Sequence, residues 1–353
     1  MREAILYQRL ASGRVRCNLC AHRCLLLPGR TGICRVRQNR DGTLYTLVYG
    51  RAAAQEIDPI EKKPLFHFFP GSAAYSIATV GCNFHCLFCQ NWQLSQIVPA
   101  SEPLLGEECP PELIVDRAVR SRCQSIAYTY TEPTIFFEYA LDTARLAHDR
   151  GLRNVFVTNG YQTPEAVGAI RPYLDAANVD LKSFSDRYYR KVVGARLQPV
   201  LDTIRLLKSM GVWVEVTTLV VTGRNDSEDE IRAIARFLAR DVGADTPWHL
   251  SRFFPAYRLA EAPPTPLSIL ARAREIGLEE GLQFVYVGNV RGMPWENTYC
   301  PGCSSLLVER SGYVIVSNRV ANGACPDCGR RIAGVGLDWR ATGAAGRTSN
   351  GPA

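Results

Sequence analysis

Thiol placement constrains this chain more than any other feature of its sequence. Of 13 cysteines, only Cys109 and Cys123 stand alone. The rest form three groups: Cys17, Cys20, Cys24 and Cys34; Cys82, Cys86 and Cys89; and Cys300, Cys303, Cys325 and Cys328. The amino terminus, "MREAILYQRL", puts charges where a signal peptide keeps an apolar stretch, which gives the expectation of a cytoplasmic protein. Thiols stay reduced in that compartment, so clustered ones point to bound metal rather than disulfides. The two single cysteines read as packing residues.

Between the second and third groups, apolar β-rich runs alternate with helical patterns. The strand candidates are 75–80, 125–130, 154–159, 178–183, 213–221, 248–253 and 284–289. Helix starts are marked by Thr163-Pro164, by Thr265-Pro266, and by Ser227 three residues before Glu230 in capping-box spacing. Repeated strand–helix–strand units predict an α/β fold with a parallel sheet or barrel. Thr131-Glu132, Asn159, Lys182, Asn225-Asp226, Arg252 and Asn289 fall at or just beyond the carboxyl ends of these strands. In a parallel barrel those ends share the face where chemistry is carried out, and the three central cysteines follow the first strand onto it.

The chain is long enough, at 353 residues, for more than one folded unit. A formal net charge of +7 invites a nucleic-acid reading. Only Lys62, Lys63, Lys182, Lys191 and Lys208 are lysines, however, and the arginines read as scattered, with no run of five or six like charges. This argues against a nucleic-acid partner. From Pro64 to Ser101 there is no charged residue, yet Pro70, Gly71, Asn83, His85, Gln90 and Asn91 break the stretch before it can span a membrane.

The stretch "GCNFHCLFCQNW" spaces three thiols as C-x3-C-x2-C. Three thiolates can hold three irons of a four-iron cluster and leave one iron open as a Lewis-acidic site. His85, inside the loop, is the alternative fourth ligand. With Phe88 before the last cysteine, the motif resembles the signature of the radical S-adenosylmethionine (radical SAM) enzymes. The resemblance implies a [4Fe-4S] cluster at Cys82, Cys86 and Cys89 and S-adenosylmethionine on its open iron. It also implies one-electron cleavage to a 5′-deoxyadenosyl radical that abstracts hydrogen from substrate, and a reductant of the flavodoxin or ferredoxin class. "YTYTEPT" resembles the family's second motif, which assigns Glu132 to the cofactor's ammonium group; the usual glycine pair is missing, leaving Thr131 and the backbone around it to serve instead. "DLKSF" resembles the Asp-x-Lys of pyruvate formate-lyase activating enzymes, with Lys182 toward the cofactor carboxylate and Asp180 beside it. Asn159, Thr218 and Asn289 are further candidates for ribose or adenine contacts. Together with "HLSRFFP" and the cysteine-rich amino terminus, these motifs resemble the radical SAM component of the AmmeMemoRadiSam system over about residues 15–337.

The expected fold is a partial (β/α), TIM-like barrel of the radical SAM type over 71–292. A cysteine-rich metal-binding extension would occupy 1–70, a zinc ribbon 293–340 and a disordered tail 341–353. Two C-x2-C pairs, Cys300/Cys303 and Cys325/Cys328, have zinc-ribbon spacing around a hairpin. Cys17, Cys20, Cys24 and Cys34 suit zinc or a second iron–sulfur cluster. The substrate is expected to be a glycyl-radical enzyme or other protein, with RNA or a small metabolite as alternatives. A non-enzymatic iron–sulfur or zinc scaffold is the rival from another class.

Overall fold

The computed structural model describes residues 1–98, 104–290 and 292–340. Its centre is an eight-stranded sheet: β1 (Ala54–Pro59), β2 (Ala73–Ala78), β3 (Ser125–Tyr128), β4 (Arg153–Thr158), β5 (Ala176–Asp180), β6 (Trp213–Val220), β7 (Trp248–Arg252) and β8 (Val285–Gly288). Spatial order follows chain order, with free edges at β1 and β8. All pairs from β2 to β8 are parallel; β1 runs antiparallel to β2. The strands are nearly continuous apolar runs because the parallel sheet is buried on both faces, by the connecting helices on one and by residues 64–70 on part of the other. In β3 every residue is buried.

Seven strands stand where the apolar runs predict them, with ends within three residues of those expected. The eighth, β1, is unheralded: Gln55, Glu56 and Asp58 give it no apolar pattern, and it was counted with the amino-terminal extension. Thr163 caps the helix Pro164–Ile170 by accepting from the Ala166 N–H at 3.2 Å. Ser227 caps Glu228–Phe237, but Glu230 does not close the capping box. Its Oε1 accepts instead from the Ser183 hydroxyl and from the Phe184 N–H at 2.8 Å, fastening the helix to the loop after β5. Thr265 is not a cap either: it accepts from the Phe253 N–H at 3.0 Å and donates to the Val220 carbonyl at 2.5 Å, joining β6 to β7.

One end of the sheet is closed by residues 64–70. The buried Glu215 carboxylate on β6 accepts from the N–H groups of Phe66 (3.0 Å) and His67 (2.7 Å), from Trp213 Nε1 (3.0 Å) and from His249 Nε2 (2.6 Å). The C-terminal strands, Leu306–Ser311 and Val314–Asn318, form the expected hairpin. It packs directly on the sheet through a core of Phe66, Phe284, Tyr286, Leu307, Val308 and Val320. Arg310, buried there, donates to the carbonyls of Phe66 (2.9 Å) and Glu296 (3.0 Å). The tail 341–353 lies outside the described residues. Among the described residues, no helix is long and apolar enough to cross a membrane.

Candidate active site

The loop carrying Cys82, Cys86 and Cys89 leaves β2 through Gly81, whose φ of +97° suits glycine. A Cβ there would stand 2.9 Å from the Cys34 carbonyl and 2.8 Å from Val36, so the loop lies flush on the amino-terminal segment. Backbone bonds from His85 N–H to Val193 (2.8 Å) and Leu87 N–H to Val192 (3.0 Å) hold its middle. Phe84 packs edge-on against Tyr161 and Tyr189.

The three cysteines share the wall of a cavity of about 490 Å³ with Thr131, Glu132, Asn159, Asp180 and Lys182. The structure therefore brings together residues contributed by the ends of β2, β3, β4 and β5. Donors meet the sulfurs: the Phe84 N–H lies 3.3 Å from Cys82 Sγ, and the Ser95 hydroxyl 3.1 Å from Cys89 Sγ. Burial pushes the Cys86 thiol up to about 12, so metal must displace its proton. Lys182 pairs with Asp180 at 3.0 Å. Burial opposes its charge, but Asp180 and Cys86 hold the ammonium more firmly protonated than an ordinary lysine.

Glu132 is the hub of the wall. Its Oε1 accepts from the Thr134 N–H (3.0 Å), the Thr134 hydroxyl (2.5 Å) and the Thr158 hydroxyl (2.7 Å), and its Oε2 from the Asn159 N–H (2.8 Å). Burial pushes this carboxyl up against those donors. Lone pairs on Oε2 remain for one more partner. Where the glycine pair is missing, Tyr130 itself adopts the left-handed backbone, with φ at +60°.

Thr218 and Asn289 are not on this wall. Thr218 is fully buried on the other face of β6, donating to the Leu181 carbonyl (2.9 Å) and accepting from Trp248 Nε1 (3.0 Å). Its neighbours Thr217 and Leu219 line the cavity instead. Asn289 donates to Ser251 Oγ at 2.9 Å, and it is Ser251 that lines the cavity. His85 is held by Gln96 Oε1 at 3.1 Å and is not among the lining residues. Other contributors that went unread in the sequence include Lys62 and Lys63, after β1, and Tyr313, at the tip of the C-terminal hairpin. Period-two alternation fixes Thr217 once one strand neighbour is placed, but nothing local announces Tyr313.

The sequence profile of the radical SAM superfamily matches residues 76–238, which include the trio and the ends of β3 to β6. The chain belongs to the radical SAM superfamily. It is 46% identical over 336 residues to an uncharacterized protein of Methanocaldococcus jannaschii, covering 94% of this chain and 99% of that one. It is also similar to the isethionate sulfite-lyase activating enzyme of Nitratidesulfovibrio vulgaris, 30% identical over 33% of this chain and 40% of that enzyme. The pyruvate formate-lyase 1-activating enzyme of Escherichia coli is 23% identical over 46% of this chain and 67% of its own length. Among solved structures, a radical SAM methyltransferase from Sphaerobacter thermophilus shares the fold, with a TM-score of 0.50 and 18% identity, over 62% of this chain and 67% of that one.

Radical SAM proteins carry a [4Fe-4S] cluster and S-adenosylmethionine. The residues present fit both: three thiols, two of them with donors at their sulfurs, and a paired cation and a carboxylate on the same cavity wall. Separately, Cys300, Cys303, Cys325 and Cys328 bring their sulfurs within 4.8 Å of one another, a set that can hold a metal ion.

Proposed function

We propose that this radical SAM chain reductively cleaves S-adenosylmethionine and uses the resulting radical to abstract hydrogen from a polypeptide, in the manner of the glycyl-radical activating enzymes it resembles. The observation that carries the reading is the sharing of one cavity by the cysteine trio, the Lys182–Asp180 pair and Glu132. The cluster, when bound, supplies one electron and an open iron. The chain's own residues do the rest. Lys182, kept charged by Asp180, meets the carboxylate of the methionine moiety, and the free side of Glu132 Oε2 meets its ammonium by a charge-assisted bond. Thr131 and Asn159 close the wall between them. Gln90 and Asn91, both exposed on the cavity wall, leave the mouth open to an extended chain. The C-terminal quartet is assigned zinc in a structural role. In the AmmeMemoRadiSam system this chain would act as the radical-generating component.

Anaerobic incubation with S-adenosylmethionine, a reductant and a candidate glycyl-radical protein tests this. Deuterium carried from a labelled protein glycine into 5′-deoxyadenosine is the expected result. Label transferred only from small metabolites would overturn the polypeptide assignment, and absence of 5′-deoxyadenosine from the cluster-loaded enzyme would overturn the chemistry.

A further inference from the structure

We infer that Cys17, Cys20, Cys24 and Cys34 hold a second four-iron cluster, which takes electrons from an acidic redox protein and hands them to the cluster of the trio. The cluster itself goes beyond the proposed function; the final electron step rests on it.

Sulfur spacing separates the three cysteine groups. A tetrahedral zinc site with Zn–S near 2.3 Å sets its sulfurs about 3.8 Å apart. The C-terminal quartet meets this, with Cys300–Cys328 and Cys303–Cys325 sulfurs each at 3.6 Å. Among the described residues, no other set of three or more potential ligand atoms gathers as closely. The amino-terminal quartet is spread, as the catalytic trio is spread, and its four cysteines line one largely enclosed cavity. Gly32 stands between two of them: a Cβ there would lie 3.7 Å from the sulfurs of both Cys24 and Cys34. Four thiols set too far apart to close on a single ion suit a cluster, in which each thiolate takes its own iron.

Two buried donors on this wall await an acceptor. Arg37 is 2% exposed and gives Nη1 and Nη2 to Glu138, while its Nε has no partner. Asn83 is fully buried, and its Nδ2 likewise has none. Hydrogen bonds to sulfur are how proteins stabilise such clusters.

The quartet also adjoins the trio. Asn83, on the quartet's wall, directly follows Cys82, and its carbonyl accepts from His22 Nε2 at 2.8 Å. Gly81, just before Cys82, rests on the Cys34 carbonyl. Residues 81–83 are thus a partition common to both sites.

The outer surface fits a donor. Residues 1–40 contain nine arginines, all but the buried Arg37 at least partly accessible, and one glutamate, a net +8, whereas the whole chain carries +7. Leu25, Leu27 and Ile33, within three residues of Cys24 or Cys34 in sequence, are 51%, 54% and 41% exposed. Exposed Arg16 and Arg30 have no ion-pair partner among the described residues. An apolar spot set among arginines suits a small acidic one-electron carrier, steered in by charge. The electron passes from the carrier's reduced centre to the quartet's cluster and then to the trio's. It ends in a carbon–sulfur bond of S-adenosylmethionine, which breaks to methionine and the 5′-deoxyadenosyl radical; carrier and clusters return to their oxidised states.

The test uses the reconstituted holoenzyme, reduced and read by electron paramagnetic resonance with and without S-adenosylmethionine. Expected are roughly eight irons per chain and two reduced-cluster signals, one moved by S-adenosylmethionine and one not. A single signal that moves, with four irons and two zinc ions, overturns this inference and leaves the proposed function standing. If no signal moves, the proposed function falls and the last electron step with it. For the docking face, 5′-deoxyadenosine formed with a reduced acidic ferredoxin is divided by that formed with dithionite. In Arg16→Glu with Arg30→Glu this ratio should drop about tenfold, and an unchanged ratio overturns the docking assignment.

Discussion

The hydroxyl of Tyr130 donates to Oδ2 of Asp58, so the edge strand β1 holds the turn that follows β3. Asp58 also takes Lys62 Nζ at 2.7 Å, Lys63 Nζ at 2.5 Å and the Ser76 hydroxyl at 2.9 Å. A non-glycine residue at φ +60° is strained, and this bond offsets the strain. Tyr130→Phe keeps the ring over Lys63 and removes only the hydroxyl. Denaturant unfolding should show a loss of about 1 kcal/mol. No loss would mean that packing alone holds the turn.

Glu132→Gln puts an amide where the carboxylate accepts four hydrogen bonds, so one N–H must face another. Stability should fall by roughly 1.5–3 kcal/mol and S-adenosylmethionine affinity about tenfold or more. Equilibrium dialysis of the cluster-loaded variant measures the second effect. Unaltered affinity would make Glu132 an organiser of strand ends only.

Replacing Cys82, Cys86 and Cys89 together with alanine should remove about four irons per chain and leave bound zinc unchanged. Metal analysis of the purified variant decides it. Iron content equal to that of the parent chain would refute the trio as cluster ligands.

Burial pushes the Glu296 carboxyl up to about 7, against the pull of Arg310. The folded state therefore holds this proton more tightly than the unfolded chain. Its stabilising effect is full below the ordinary glutamate pKa and is lost as pH rises toward 7. Thermal midpoints should decline between pH 5 and 7 and decline less in Glu296→Gln. Parallel curves for the two proteins would assign the decline to other groups.

Cys325→Ser with Cys328→Ser removes half of the C-terminal quartet. Because the sulfurs meet at 3.6 Å around a site whose metal supplies folding free energy, residues 298–340 should lose amide-exchange protection while β2 to β7 keep theirs. Intact protection in the hairpin would show that Leu307 and Val308 hold it without metal.

The sequence announces the parallel sheet and the cysteine trio because each has a local signature: apolar runs broken by capped helices, and thiols at fixed spacing. It is silent about which face of β6 looks inward, since a strand buried on both sides reads the same with either parity, and Thr218 rather than Thr217 was singled out. Polar β1 carries no strand pattern, because its partner β2 supplies the apolar contacts. Reading the arginines as scattered overlooked their concentration in the first forty residues, which a windowed charge count reveals. Glu132 was legible as a site residue, but its four donors come from elements that only the fold assembles.

Tyr313 reaches the cavity from the C-terminal hairpin, whose cysteine quartet can hold a metal ion. Synthesis runs from the amino to the carboxyl end, so the ribosome releases the sheet and the trio before the stretch that completes this wall. That stretch is short, and with a structural ion at its cysteine quartet it would fold only once the ion is bound. Metal supply in the cell would then govern when the pocket is finished, and a starved cell would accumulate chains able to assemble the trio with one side of the chamber still unbuilt.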